Sequence, residues 1–227
     1  MKLNFSKLIL ILLSLLYYFF LADKGVAGQE DVEILMLRLQ HSNPNVRISA
    51  IEELGMIKSD EAVTALMDVI KDRYEDWKVQ KRTIQVLSEI RDYRAVDLLI
   101  RILTDSIFTR DCPALKWNAA IALGNFKEDQ KVFDTLIESL NDRILYIREA
   151  AIQSLGNIGH KKAVPYLIAA LNDKNFAIKM SAIQAIGKIG DEEAVPFLEQ
   201  IADSDMDEYL QAEALKALIV ITGKERR

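Results

Sequence analysis

The stretch GNIGHKKAVPYLIAAL, which starts at Gly156, returns from Gly187 as GKIGDEEAVPFLEQIA. Gly, Ile, Gly, Ala, Val, Pro and Leu fall on shared columns. Self-similarity at a short fixed period is the mark of a repeat architecture and restricts the fold more than any composition can. Sliding outward from these two glycines puts Gly55, Ser88, Gly124 and Ile219 on the same marker column, so six copies fill the chain from about residue 29 to 223. The residue before the marker is always apolar: Leu54, Leu87, Leu123, Leu155, Ile186, Leu218. Four before it stand Ile51, Ile84, Ala120, Ile152, Ile183 and Leu215. Five before it the residues are small: Ala50, Thr83, Ala119, Ala151, Ala182, Ala214. Nine before it stand Val46, Val79, Leu115, Ile147, Ile178 and Leu210. These offsets share one stripe of a 3.6-residue helix, so each copy ends in an amphipathic helix, B.

A shorter helix, A, precedes each B in segments such as EAVTALMDVI, RAVDLLIRIL and KVFDTLIESL. Pro165 and Pro196 are tolerated only near a helix start, which fixes where A begins in the last two copies. Asp191, followed by Glu192 and Glu193, suits a helix N-terminus. No strand pattern and no Gly/Ser-rich linker interrupts the series. A single helix pair cannot bury its apolar stripe, whereas a stack of pairs buries it continuously. The expected fold is all-α: a gently curved α-solenoid of about six helical hairpins, extended rather than globular, with a signal peptide in front.

The segment LNDRILYIREAAIQSLGNIGHKKAVPYLIAALNDKNFAIKMSAIQAIGKIG resembles HEAT repeats of the short subtype also found in phycobilisome lyase subunits. An acidic turn, Val/Ile-Arg/Lys, Ala-Ala/Ile, Leu-Gly, Ile and Ala-Val-Pro-x-Leu carry the resemblance. It implies that B helices line the concave surface, and that acidic turn residues and a basic B-helix column form a ladder between repeats. Asp142 stands six before Arg148 and Asp173 six before Lys179; His41 and Arg47 keep the spacing with the acid replaced. Gln80, Lys116 and Gln211 occupy the basic column elsewhere. That column reads either as the ladder or as an anion site.

The first 27 residues stand apart. Lys2 and Lys7 lead into a run from Leu8 to Ala22 that is free of charge, and Gly25-Val26-Ala27 ends in small residues. This is the layout of a secretory signal peptide cleaved after Ala27, leaving residues 28–227 as one repeat domain. The run is short for a membrane span, which takes about 20 apolar residues; an uncleaved membrane anchor is the alternative. Cleavage would remove three lysines and one aspartate, moving the formal charge from −5 to −7. The expected product is periplasmic or secreted, with no membrane contact after cleavage. An acidic chain gives no electrostatic case for nucleic acid.

Enzyme chemistry finds little to work with. One cysteine, Cys112, and two histidines, His41 and His160, exclude an internal disulfide and any cysteine metal cluster. GNIGH follows no strand, so it is a turn and not a dinucleotide fingerprint. No cofactor, no metal site and no catalytic residue is expected. The expected function is a non-catalytic scaffold or adaptor that holds a protein partner; a lyase-like subunit and a structural envelope component are the alternatives.

Candidate partner residues are departures from the repeat on the outer face of B. Seven before the marker stand Ile48, Lys81, Trp117, Glu149, Met180 and Ala212; three before, Ile121 interrupts a polar column; ten before, Tyr146 and Tyr209 appear. Ile48, Trp117, Ile121 and Met180 would form a broken apolar line, with Lys81 and Tyr146 beside it, or else the insertion TDSIFTRDCPA over residues 104–114 covers Trp117 and Ile121. Trp77, seven before Ile84, reads as core packing. At the C-terminus Leu218, Ile219, Val220 and Ile221 run together, so at least one faces away from the core and offers an edge for self-association.

Overall fold

The computed structural model describes residues 27–106, 109, 112–203 and 207–223. Apart from Ala27, the expected signal segment lies outside the described residues. So do residues 107, 108, 110 and 111 of the insertion, and Asp205.

Twelve α-helices and no strand occur among the described residues: α1 (Ala27–Arg38), α2 (Pro44–Ile57), α3 (Asp60–Lys71), α4 (Trp77–Ile90), α5 (Val96–Thr104), α6 (Pro113–Leu123), α7 (Gln130–Ser139), α8 (Leu145–Ile158), α9 (Val164–Ala170), α10 (Phe176–Ile189), α11 (Val195–Ala202) and α12 (Glu208–Thr222). They make six hairpins, with odd-numbered helices as A and even-numbered ones as B. No helix among the described residues is long and apolar enough to cross a membrane.

The caps explain the boundaries. Asp92, His160 and Asp191 each accept a backbone N–H two residues on, from Arg94, Lys162 and Glu193, and so start a short 3₁₀ turn ahead of α5, α9 and α11. Pro165 and Pro196 sit in the first turn of α9 and α11, where the missing N–H leaves no carbonyl unpaired. Gly159 and Gly190 close α8 and α10 in the left-handed region, with φ of 76° and 72°.

The core follows the columns read from the sequence. All six residues before the marker are buried, as are the six small residues five before it. The apolar columns four and nine before the marker are buried through the middle repeats and half-buried at Val46, Leu210 and Leu215. Those three belong to the first and last repeats, which among the described residues have a neighbouring hairpin on one side alone.

B helices pack side by side along the whole stack, whereas A helices touch one another sparingly. The marker column makes this possible. A Cβ on Gly156 would lie 2.8 Å from the Cα and Cβ of Ala185, two before the next marker. On Gly124 it would lie 2.9 Å from Ser154 Cβ, and on Gly55 it would collide with Val86 Cγ1, both on that same column. Ser88, the serine of the series, replaces the close approach with a bond, its Oγ donating to Ala122 O at 3.3 Å. The B layer is thus the tightly spaced side of the stack and the A layer the loosely spaced one.

The A layer is joined across repeats by exposed pairs. Arg94 bonds Asp60, Lys131 bonds Asp97, and Lys161 lies 3.4 Å from Asp191. The Arg94 guanidinium holds Asp92 below the usual carboxylate range, and Asp97 pushes Lys131 up. The backbone N–H of Glu193, and after it Lys161, holds Asp191 down. Exposed pairs of this kind each contribute little to stability.

Candidate functional site

The ladder between repeats that the resemblance implies is present at two rungs, and backbone carbonyls take part in it. Arg47 Nη1 donates to the backbone O of His41 at 2.6 Å, and Arg148 Nη1 to the backbone O of Asp142 at 3.0 Å. A carbonyl serves whatever the side chain, which is why His41 can stand where other copies have Asp. The turn carboxylates cap their own turns instead: Asp142 Oδ1 accepts from Ile144 N and Asp173 Oδ1 from Asn175 N, each at 2.7 Å. The ion pairs run to the next repeat, from Arg47 to Glu75 at 2.6 Å and from Arg148 to Asp173 at 3.9 Å. Gln80 takes the same place with neutral bonds to Asp72 O and Ile70 O. Lys116 donates to Ser106 Oγ at 2.6 Å.

The six partner candidates all lie on B helices: Ile48 on α2, Lys81 on α4, Trp117 and Ile121 on α6, Tyr146 on α8 and Met180 on α10. Trp117 is 38% exposed although its helical neighbours Lys116 and Asn118 are buried. Ile121, one turn further on the same face, is half-buried against the core, as is Ile48. Lys81 and Met180 are half-buried and Tyr146 is exposed. Polar rungs fix the B helices around them: Arg82 to Glu52 at 3.0 Å, Gln85 to Asn118 at 3.2 Å, and Ser181 to Glu149 at 3.3 Å.

Trp77 corrects the reading of it as core. It is 43% exposed, with the Lys78 ammonium 5.9 Å from its ring centre. As the first residue of α4 it stands on the helix's opening turn, where the apolar stripe has run past the neighbouring helices. Phe176, the first residue of α10, is exposed in the same way, and so is Tyr209 near the start of α12. Exposed aromatics at B-helix starts are thus commoner than the outer-face columns alone indicate; the position just inside each N-cap is the signal that would have found them.

At the C-terminal edge Ile219 is 39% exposed and Val220 more so, while Leu218 is buried and Ile221 half-buried. Ile219 occupies the marker column, and no further B helix follows it among the described residues to require glycine there. At the other end Ile34 and Leu37 lie exposed on α1. His41 and His160 are exposed in turns, and their Nδ1 atoms accept backbone N–H groups. Among the described residues no cluster of three His, Cys, Asp or Glu could hold a metal ion.

A family model described as HEAT repeats matches residues 32–109, 73–155 and 133–219. Nothing among curated proteins matches. Of solved structures, the complex of CpcE and CpcF of phycocyanin lyase from Nostoc sp. PCC7120 is similar at 23% identity with a TM-score of 0.57, over 84% of this chain and 76% of that one. A designed armadillo repeat protein in complex with the peptide (KR)4 is similar at 18% identity and a TM-score of 0.55, over 87% of this chain and all of that one. An engineered protein is similar at 20% identity and a TM-score of 0.54, over 85% and 97%. At these identities the likeness is one of fold.

Proposed function

The chain belongs to the HEAT-repeat family, and from that premise we propose that it is a non-catalytic scaffold holding a partner polypeptide along its inner, B-helix face. One observation carries the proposal. Trp117 stands exposed on that face, in a helix otherwise well buried, with Ile121 one turn away. Large aromatics left in solvent on a curved wall serve as anchors at interfaces. A stack of this shape can carry a peptide, as the designed armadillo-repeat neighbour does.

Trp117→Ala is expected to weaken partner capture from an envelope fraction by about 2 kcal/mol or more, with the melting temperature nearly unchanged. Phe197→Ala, which removes a similarly exposed aromatic from the A layer, is the control and should leave capture intact. A sharp fall in melting would make Trp117 a packing residue. Unchanged capture would move the partner off this face.

The proposal includes export. Lys2, Lys7, the uncharged run from Leu8 and the Gly-Val-Ala site support it. Mass spectrometry of the native protein should find Gly28 at the N-terminus; an intact segment 1–27 on a membrane-bound protein would instead establish an anchor.

A second reading, a lyase-like subunit acting on a pigment protein, is favoured by the likeness to the phycocyanin lyase complex. Mixing the chain with bilin and an apoprotein decides it: covalent pigment transfer would replace the scaffold proposal. Self-association through the C-terminal edge is a separate part of the scaffold proposal. Ile219→Lys should lower the mass seen by light scattering without unfolding the chain, and a wild type already monomeric at high concentration would sink it.

A further inference from the structure

From the geometry between the third and fourth repeats we infer a binding site for a phosphate-class oxyanion, centred on the Lys116 ammonium. A cleft of about 600 Å³ opens there. It is walled by Thr104 at the end of α5, Ser106, Lys116 on α6, Thr135 on α7, and Asn141 in the turn before α8.

Lys116 is 7% exposed, and its ammonium has one hydrogen bond, to the neutral Ser106 Oγ. No carboxylate among the described residues lies within ion-pair distance of it. An ammonium carries three donors, and a buried charge without a counter-ion is costly. The repeat supplies its own control. On the same column Arg47 is given Glu75 and Arg148 is given Asp173. The residue that Lys116 would meet by analogy is Asp142, in the following turn, which lines the same cleft but forms no ion pair with Lys116; its Oδ1 accepts from Ile144 N. Among the described residues, Lys116 is the buried lysine of this column, and it faces a polar cleft with no carboxylate within ion-pair distance.

The lining selects the ligand. The ammonium rejects a cation, and hydroxyls and an amide around it give an apolar group nothing. A tetrahedral oxyanion can accept from Lys116 and from the Ser106, Thr135 and Asn141 side chains together. Glu138, Asp142 and the Arg143 guanidinium also line the cleft, and with two carboxylates against two cations a singly charged oxyanion is preferred to a doubly charged one. The site lies on the A–B turn side of the stack, away from the Trp117 face, and is independent of the scaffold proposal.

The test is titration of sodium phosphate into the full repeat domain, against sodium chloride at matched ionic strength, read by calorimetry and melting. Saturable binding by the wild type is expected. Lys116→Met should weaken it about tenfold or more, and should melt no lower than wild type in phosphate-free buffer, since an unpaired buried charge has been removed. Glu138→Gln should tighten phosphate binding, and it serves as the deciding variant should Lys116→Met fail to fold. A wild type with no response beyond the chloride control, a Lys116→Met chain that folds and binds as wild type does, or no gain in Glu138→Gln would each overturn the site. A phosphoserine peptide run in parallel identifies the source: tighter binding than inorganic phosphate points to a phosphorylated macromolecule, and weaker binding to the free ion, with the site standing in either case.

Discussion

Ile183→Ala lowers the unfolding free energy by about 2–5 kcal/mol, the usual span for a fully buried isoleucine. Ile183 is 0% exposed at the middle of α10, which packs against α8 on one side and α12 on the other. Neighbours on both sides limit how far the cavity can close, and it is incomplete closure that places a truncation at the upper end of that span. Leu215 occupies the same column in the last repeat but is half-buried, with its outer side facing solvent. Leu215→Ala therefore costs about half as much or less. Chemical denaturation of the two variants measures the difference. Equal losses would mean that the C-terminal edge is covered in solution, and this would agree with the lower mass expected of Ile219→Lys.

These contrasts mark how far the sequence could be read. The period, the helix pairs and the buried columns were all legible, because a 3.6-residue stripe is a local pattern and six copies repeat it. What stayed hidden were contacts between copies. The glycine marker looked like a label for the period; its cause is the next helix's column two before its own marker, occupied by Val86, Ser154 and Ala185. About 30 residues separate the two columns, and no helical periodicity connects them. The ladder was half legible for the same reason. The acidic turn and the basic column pointed to a link between repeats, but not to its partners: Arg148 reaches the carbonyl of Asp142 in its own turn and crosses to Asp173 in the next repeat.

Trp77 shows a different limit. Its place on the stripe was right, and its exposure comes from standing at the first position of α4, beyond the reach of neighbouring helices. Periodicity gives an angle around a helix but not the length over which a partner covers it. Trp117 was legible as a departure from its column, and its exposure depends on an outer face that the rungs at Gln85–Asn118 and Glu149–Ser181 hold in fixed register. Lys116 was legible only as a member of the basic column. That no carboxylate among the described residues comes within ion-pair distance of it is a fact of three dimensions.

Gly156→Val is the second large effect, and it tests whether close approach of B helices bends the stack. The added Cβ falls 2.8 Å from both Cα and Cβ of Ala185. Backbone cannot swing aside as a side chain can, so α8 and α10 must separate, and two further methyl groups widen the gap. Overpacking of this kind costs about 3 kcal/mol. Helix propensity works the other way, since glycine in a helix interior is about 1 kcal/mol worse than alanine. The balance should therefore change sign along the stack. At Gly187 a Cβ would meet Ala217 Cβ at 3.1 Å and its Cα at 3.4 Å, contacts that a small shift relieves. Gly187→Ala is then close to neutral, Gly156→Ala is destabilising, and Gly156→Val is the worst of the three. Melting of the three variants orders them, and small-angle scattering of Gly156→Val should show a straighter, longer particle. If Gly156→Ala is as stable as Gly187→Ala, the fourth and fifth B helices do not touch along their markers, and the tight inner layer is not what curves the molecule.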